Sequence, residues 1–211
     1  MSSAGMRLNA IEKQMRKNRN RQAVHRLLFL DFDGVVNVPY EYGTPEYDAA
    51  MDAGVYDFFR PEIVVRLNRL IHDYDLHVVI SSSWRYSGIE FCQRSLQNAG
   101  FSPDVMIEGT TALSEGIPPR YEEILDYLES HPDVSEFLIL DDIPMHALSP
   151  YAVQTVFEEG YTEKADQNGR RILDRQIKDS QRHPMFLWLI VMIAVIIFAA
   201  LALILQGMNQ S

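Results

Sequence analysis

The chain has little of what marks a secreted protein. Cys92 is the single cysteine among 211 residues, so no disulfide can form within the chain. Small secreted domains are often cross-linked by several disulfides. The first residues also lack the apolar run of a secretory signal peptide. These two absences argue against an oxidising compartment and favour the cytosol for the folded part.

Histidines are few, and their spacing does not predict a metal centre. The six are His25, His72, His77, His131, His146 and His183. None forms a closely spaced pair of the kind that provides the ligands of a zinc site. The sequence therefore favours ordinary hydrogen-bonded or solvated histidines over a zinc centre.

Positive charge is scarce in the middle of the chain. Residues 1–26 carry a net charge of +6, residues 170–183 carry +3, and residues 184–211 have no charged side chain. Because the whole chain carries −10, the segment 27–169 is left with −19. An acidic body with basic flanks suits a cation-binding enzyme near a membrane better than a broad nucleic-acid-binding surface. The basic segment 1–26 is equally consistent with a solvated tail.

The segment 185–205 lacks charged residues, proline, glycine, asparagine and glutamine. A transmembrane helix needs about 20 apolar residues, and Trp188 suits the membrane interface. We therefore expect one C-terminal transmembrane helix in a tail-anchored protein. A soluble core or dimer helix is the alternative. The basic residues before the segment predict a cytoplasmic catalytic domain and a C-terminus on the far side.

Acidic residues follow the first apolar run. The segment RLLFL leads directly into Asp31, Asp33 and Gly34, and a later run, EFLIL, leads into Asp141 and Asp142. Side chains at the C-terminal ends of parallel strands line the ligand crevice of an open α/β sheet. We therefore expect these carboxylates to meet at one edge of the sheet.

Hydroxyl and basic side chains follow between the two acidic pairs. The apolar run LHVVI ends in three serines, 81–83, and Arg120 begins an amphipathic helix that must end before Pro132. Phosphate-ester hydrolysis through a covalent intermediate needs a carboxylate nucleophile, a second carboxyl group, a cation and donors for the phosphoryl oxygens. Clustered carboxylates with only oxygen ligands favour Mg²⁺.

These four segments resemble the four ordered motifs of the haloacid dehalogenase (HAD) superfamily. Three stretches, ISSSWR, LDD and GYTEKADQNGRRIL, are also similar to the HAD domain of Swiss Army Knife RNA repair proteins. The resemblance implies a Rossmann-like sheet. It implies Asp31 as nucleophile and Asp33 as general acid and base. It further implies that Ser82, with Ser81 as the alternative, and Arg120 bind the phosphoryl group, and that Mg²⁺ is bound by Asp31, Asp33, Asp141 and Asp142.

Strands and helices alternate along the chain, which predicts a doubly wound α/β fold with a mainly parallel sheet. The gaps between the motifs are too short for a large cap domain. The predicted organisation is a basic N-terminal arm (1–26), the HAD-like catalytic domain (27–160), a basic helical juxtamembrane segment (161–183), the transmembrane helix (185–205) and a tail (206–211).

The favoured function is a membrane-anchored, Mg²⁺-dependent phosphatase that acts through an aspartyl-phosphate intermediate. Its partners would be a phosphorylated substrate of unknown class and the lipid bilayer. One alternative is a phosphatase that processes nucleic-acid ends and holds the strand with the arm 1–26, although nucleic acid is the less favoured partner. The other alternative is a catalytically idle HAD-like domain that serves as a membrane-bound binding module.

Overall fold

The computed structural model describes residues 2–21, 23–52, 58–112, 118–179 and 192–193. Its centre is one parallel sheet with the strands β1 (Arg26–Leu30), β2 (Leu76–Ile80), β3 (Ile107–Thr110), β4 (Glu136–Asp141) and β5 (Ala152–Gln154). The strand order is β3-β2-β1-β4-β5. The first strand in the sequence therefore lies in the middle, as in a Rossmann-like sheet.

Helices cover both faces of this sheet. They are α1 (Ser3–Asn20), α2 (Pro45–Asp52), α3 (Pro61–Tyr74), α4 (Ile89–Asn98), α5 (Arg120–Ser130) and α6 (163–179). Two short 3-10 helices, Ser83–Ser87 and His146–Tyr151, follow β2 and β4. The predicted doubly wound α/β fold is confirmed.

The sheet is buried on both faces because successive side chains of a strand point to opposite sides. Leu28 and Leu30 belong to a hydrophobic cluster with α3, α4 and α6, whereas Leu27 and Phe29 belong to a second cluster with α1 and α5. All four side chains are fully buried. A strand covered on both faces reads as a continuous apolar run, which is why RLLFL could be recognised in the sequence.

Helix α1 occupies most of the predicted basic arm, and it packs onto the domain. Its apolar side chains Leu8, Ile11 and Met15 are buried in the cluster that contains α5. On the side facing α5, the Arg7 guanidinium binds three carboxylates, those of Glu122, Asp126 and Glu129. Part of the N-terminal positive charge is therefore neutralised within the fold.

The packing of α1 predicts that substitutions of two methionines in this helix change the free energy of unfolding by very different amounts. Met15 is 1% exposed and Met6 is 58% exposed. Met15→Ala should lower the free energy of unfolding by about 2–5 kcal/mol because it leaves a cavity. Met6→Ala is the matched control and should change it by less than about 0.5 kcal/mol. Urea denaturation measures both values, and equal effects would contradict the packing of α1.

Helix α6 continues the domain beyond residue 160. The Thr162 hydroxyl accepts a hydrogen bond from the Ala165 N–H at 3.2 Å, as expected of an N-cap. Leu173 is fully buried. The Gln176 side chain bonds both the N–H and the carbonyl of Phe137 in β4, at 3.2 and 2.8 Å. The segment predicted as juxtamembrane thus contributes to the core through residue 176.

In the part of the chain that the structure describes, no helix is both long and apolar enough to cross a membrane. This finding contradicts the predicted localisation, and we correct it: a single-pass membrane protein with a cytoplasmic catalytic domain is not supported. The segments 185–205 and 206–211 lie outside the described residues, except for Met192 and Ile193. An apolar run of sufficient length is a necessary condition for a transmembrane helix, but it does not by itself establish one.

Candidate active site

The register of the central strands brings three chain segments together at one edge of the sheet. Leu30 pairs with Ile80 on one side and with Leu140 on the other. The next residue, Asp31, donates its backbone N–H to the carbonyl of Leu140 at 3.0 Å. The N–H of Ser81 binds the carbonyl of Leu30, also at 3.0 Å. The predicted motifs at the ends of β1, β2 and β4 are therefore neighbours.

Three carboxylates converge at this edge. Asp31, Asp141 and Asp142 each offer an oxygen, and these atoms all lie within 4.8 Å of one another. Burial raises the pKa of Asp31, with Arg120 and the Ser82 hydroxyl opposing that rise. Burial and then the charge of Asp31 raise the pKa of Asp141 to about 7, against the effect of Arg120. Because the ionised forms repel one another, a cation between them would stabilise the group.

The turn after β1 lies close to the chain segments that carry Asp142 and Phe157. Gly34 has a φ of +71°, which non-glycine residues rarely adopt. A Cβ at this position would lie 2.7 Å from the Phe157 ring and 3.0 Å from the Asp142 Cβ. The carbonyl of Gly34 also accepts a hydrogen bond from the Thr155 hydroxyl at 2.7 Å. The glycine of the DFDG motif therefore allows the turn to contact the chain that carries Asp142.

Arg120 lies in the first turn of α5 and points at the carboxylate group. Its Nη1 is 3.3 Å from an oxygen of Asp31 and 3.1 Å from an oxygen of Asp141. The helix N-terminus adds partial positive charge at the same place. The Arg120 side chain is 15% exposed, so it is partly accessible to solvent. A basic group in this position can neutralise the oxygens of a bound phosphoryl group.

Two serines follow β2, and both are fully buried. The Ser82 hydroxyl lies close enough to Asp31 to oppose the rise that burial causes in the pKa of that carboxyl, and it accepts the N–H of Trp84 at 3.3 Å. The Ser81 hydroxyl has no hydrogen-bond partner among the described residues. Ser82 is therefore the serine whose hydroxyl acts on the predicted nucleophile, and Ser81 is a buried donor without a partner in the described structure.

Asp33 is two residues after Asp31, but its carboxylate is not part of the converging group. One of its oxygens accepts the indole N–H of Trp84 at 2.9 Å, and the other accepts the side-chain amide of Asn37 at 2.7 Å. The structure thus brings together three of the four predicted metal ligands, Asp31, Asp141 and Asp142. The Asp33 carboxylate is instead held by two donors, one of which, Asn37, was not predicted from the sequence.

A buried ion pair between Arg85 and Glu123 connects two segments of the site. Arg85 donates to the carbonyls of Ser81 and Ser82, at 3.2 and 2.7 Å, and binds the Glu123 carboxylate at 2.7 Å. The other oxygen of Glu123 is 3.6 Å from Nε of Arg120. Arg85 and Glu123 have side chains only 2% and 4% exposed. This pair therefore joins the serine segment to the helix that carries Arg120, a role that their positions in the sequence did not reveal.

The site lies within a segment that matches a known family model. Residues 27–165 match the model of the HAD domain in Swiss Army Knife RNA repair proteins. The chain belongs to this family. The predicted resemblance is therefore confirmed, and family membership supports a hydrolase of the HAD superfamily. Comparisons with curated proteins and with solved structures found no match.

Proposed function

We propose that this HAD-family protein is a Mg²⁺-dependent phosphatase that hydrolyses phosphomonoesters through an aspartyl-phosphate on Asp31. The observation that carries the proposal is the contact geometry around Asp31. Its carboxylate lies 3.3 Å from the guanidinium of Arg120 and within 4.8 Å of oxygens of two further carboxylates, and the Ser82 hydroxyl opposes the rise that burial causes in its pKa. A nucleophile, donors for phosphoryl oxygens and a set of oxygen ligands for a metal are thus present together.

The donor set fits a magnesium ion. Asp31, Asp141 and Asp142 provide only oxygen atoms, and these converge to within 4.8 Å. Mg²⁺ is commonly bound by a few carboxylates and keeps several waters. When bound, the ion supplies positive charge to the phosphoryl oxygens.

In the first step, an oxygen of Asp31 attacks phosphorus and the bond from phosphorus to the leaving oxygen breaks. Asp33 donates a proton to that oxygen, so the product leaves as an alcohol. In the second step, Asp33 takes a proton from a water, whose oxygen attacks phosphorus. The bond to Asp31 then breaks, which releases inorganic phosphate and restores both carboxyl groups. The hydrogen bonds from Trp84 and Asn37 orient Asp33 for both transfers.

The chain segments that connect the strands to the helices around the site are too short to contain a large cap domain. The segment between β1 and α3 runs from 31 to 60, and that between β3 and α5 runs from 111 to 119. A domain usually needs at least about 40 residues to fold without disulfides, metals or oligomerisation. Both segments are shorter than that. We infer that the site accepts the phosphate of a bulky substrate.

The test is phosphate release by the purified full chain after removal of metals. We expect turnover to appear when Mg²⁺ is added and to disappear with excess chelator. The substrate panel should contain a small aryl phosphate, a 3'-phosphorylated oligonucleotide, a phosphopeptide and a phosphorylated lipid head group. Acid-quenched protein should also retain covalent phosphate. With the aryl phosphate, Asp33→Asn should increase that amount, because an aryl oxide can leave without a proton whereas hydrolysis of the intermediate needs the general base. Absence of turnover on every substrate with Mg²⁺ would instead favour an idle binding domain.

Removal of a nucleic-acid end phosphate is a second candidate, and one specific feature favours it. The Phe58 N–H donates to Oδ1 of Asn37 at 2.7 Å, and Asn37 in turn holds Asp33. The Phe58 ring stacks with that of Tyr47, and Tyr42 is 85% exposed beside Tyr47. Aromatic faces next to a phosphate site can stack on bases, and the family is described as RNA repair proteins. Preferential turnover of the oligonucleotide, reduced in Tyr42→Ala, would establish this candidate.

A further inference from the structure

A second cluster of metal-ligating side chains lies at the opposite edge of the sheet. His25 directly precedes β1, His77 lies in β2 and Glu108 lies in β3. The Nε2 atom of His25 is 2.7 Å from Oε2 of Glu108, and the Nδ1 atom of His77 is 2.9 Å from the same oxygen. The two imidazole nitrogens thus converge on one carboxylate oxygen, and the three ligand atoms all lie within 4.8 Å of one another. We propose that these three residues form a zinc-binding site.

An irregularity in the sheet directs Glu108 toward the histidines. Val78 pairs with Ile107, but the next residue, Val79, pairs with Gly109. Glu108 is therefore the extra residue of a β-bulge. Bulges change the direction of one side chain relative to a regular ladder and occur near functional sites. Without the shift, Glu108 would continue the regular alternation of β3.

The hydrogen-bond partners of the proposed ligands are of the kind found around known metal sites. The remaining ring nitrogen of His25, Nδ1, is 2.8 Å from the Asp133 carboxylate. Metal-binding histidines usually donate their other N–H to such a group, which fixes the tautomer and the ring orientation. The second oxygen of Glu108 accepts the Tyr127 hydroxyl at 3.4 Å. The His25 backbone is itself fixed by Ser135, which bonds both its N–H and its carbonyl at 2.9 and 2.8 Å.

The ligand types select the class of metal. Imidazole nitrogens favour first-row transition ions such as zinc, whereas Mg²⁺ prefers oxygen ligands. Two histidines and one glutamate provide three ligands of a four-coordinate zinc ion and leave one position for water. The side chains of His25, Glu108 and His77 are 19%, 21% and 31% exposed, so water can reach the site.

The site is separate from the candidate active site. His25 precedes Asp31 by the whole length of β1, which at about 3.3 Å per residue places the two on the order of 20 Å apart. A zinc ion here would link the N-terminal ends of three adjacent strands, including the edge strand β3. We therefore expect it to stabilise the sheet. This inference does not depend on the proposed phosphatase activity.

The test is zinc binding by the full chain, purified without a polyhistidine tag and titrated with Zn²⁺ in the presence of excess Mg²⁺ to occupy the other site. We expect one equivalent of Zn²⁺ to bind and to raise the melting temperature. His25→Gln and His77→Gln should each weaken binding by on the order of 100-fold or more, and Asp133→Asn by about 10–100-fold. His72→Gln is the matched control, since the His72 side chain is 83% exposed and outside the cluster.

Asp133→Asn keeps the proposal testable if a ligand variant fails to fold, because the Asp133 side chain is 66% exposed. Unchanged zinc affinity in a folded Asp133→Asn, His25→Gln or His77→Gln variant would overturn the proposal. Absence of stoichiometric zinc binding would do the same and would leave the cluster as a hydrogen-bonded ion network. Loss of binding in Asp142→Asn, with the histidine variants unaffected, would assign the zinc to the acidic group instead.

Discussion

Replacement of Asp31 by asparagine should reduce phosphatase turnover by on the order of 10³-fold or more while the domain stays folded. The amide has nearly the shape of the carboxylate but cannot attack phosphorus, and it removes one negative charge from the group with Asp141 and Asp142. Burial raises the pKa of Asp31, so the fold disfavours its ionised form. A neutral side chain should therefore not lower the free energy of unfolding of the metal-free protein.

Phosphate release under saturating Mg²⁺ and urea denaturation measure these two effects. Asp48→Asn is a suitable control because Asp48 is exposed on α2, and it should retain full turnover. Covalent phosphate should be present in acid-quenched wild-type protein and missing from Asp31→Asn. Near-normal turnover by a folded Asp31→Asn protein would rule out the aspartyl-phosphate mechanism.

Glu123→Gln should produce the largest loss of stability among the site variants, about 3–5 kcal/mol. The substitution keeps the volume of the side chain but leaves the Arg85 guanidinium, only 2% exposed, without its carboxylate partner. Removal of one member of a buried ion pair is expensive because the remaining charge stays desolvated. Since Glu123 also contacts Arg120, turnover of the folded fraction should fall as well.

The matched control for this variant is the preceding residue. Glu122→Gln removes a carboxylate that is 30% exposed and shares Arg7 with two other acidic side chains. We expect a loss of less than about 1 kcal/mol, as for exposed ion pairs. Urea denaturation of both variants gives the comparison. Similar losses in the two variants would show that the Arg85 pair is not a main support of the site.

The three strands β1, β2 and β4 and the residues that follow them were predictable because their signals are local. A strand buried on both faces is mostly apolar, and RLLFL, LHVVI and EFLIL have four apolar residues of five each. Parallel pairing then places the residues after these strands side by side. Asp31, Asp33, Asp141 and Asp142 were therefore expected to meet. The oxygens of Asp31, Asp141 and Asp142 do, whereas the Asp33 carboxylate is held by Trp84 and Asn37.

The supports of the site could not be predicted in this way. Arg85 and Glu123 are 38 positions apart, and an arginine or a glutamate has no periodic signal that distinguishes a buried ion pair from a solvated surface. The same holds for Asn37, whose contact with Asp33 depends on the turn after β1. The expected membrane localisation is contradicted by the described residues, among which no helix is long and apolar enough to cross a membrane.

The sequence by itself determined the motifs that follow β1, β2 and β4, and with them the family. It also determined which carboxylates lie at the C-terminal ends of these strands. Each of these depends on residues that are adjacent along the chain. Only the tertiary structure decided that the basic N-terminal segment forms a helix packed on α5, that Asp33 is held by Trp84, and that His25, His77 and Glu108 meet. Those contacts join residues far apart in the chain. Their geometry depends on strand register and on one β-bulge, which no local pattern of side chains specifies.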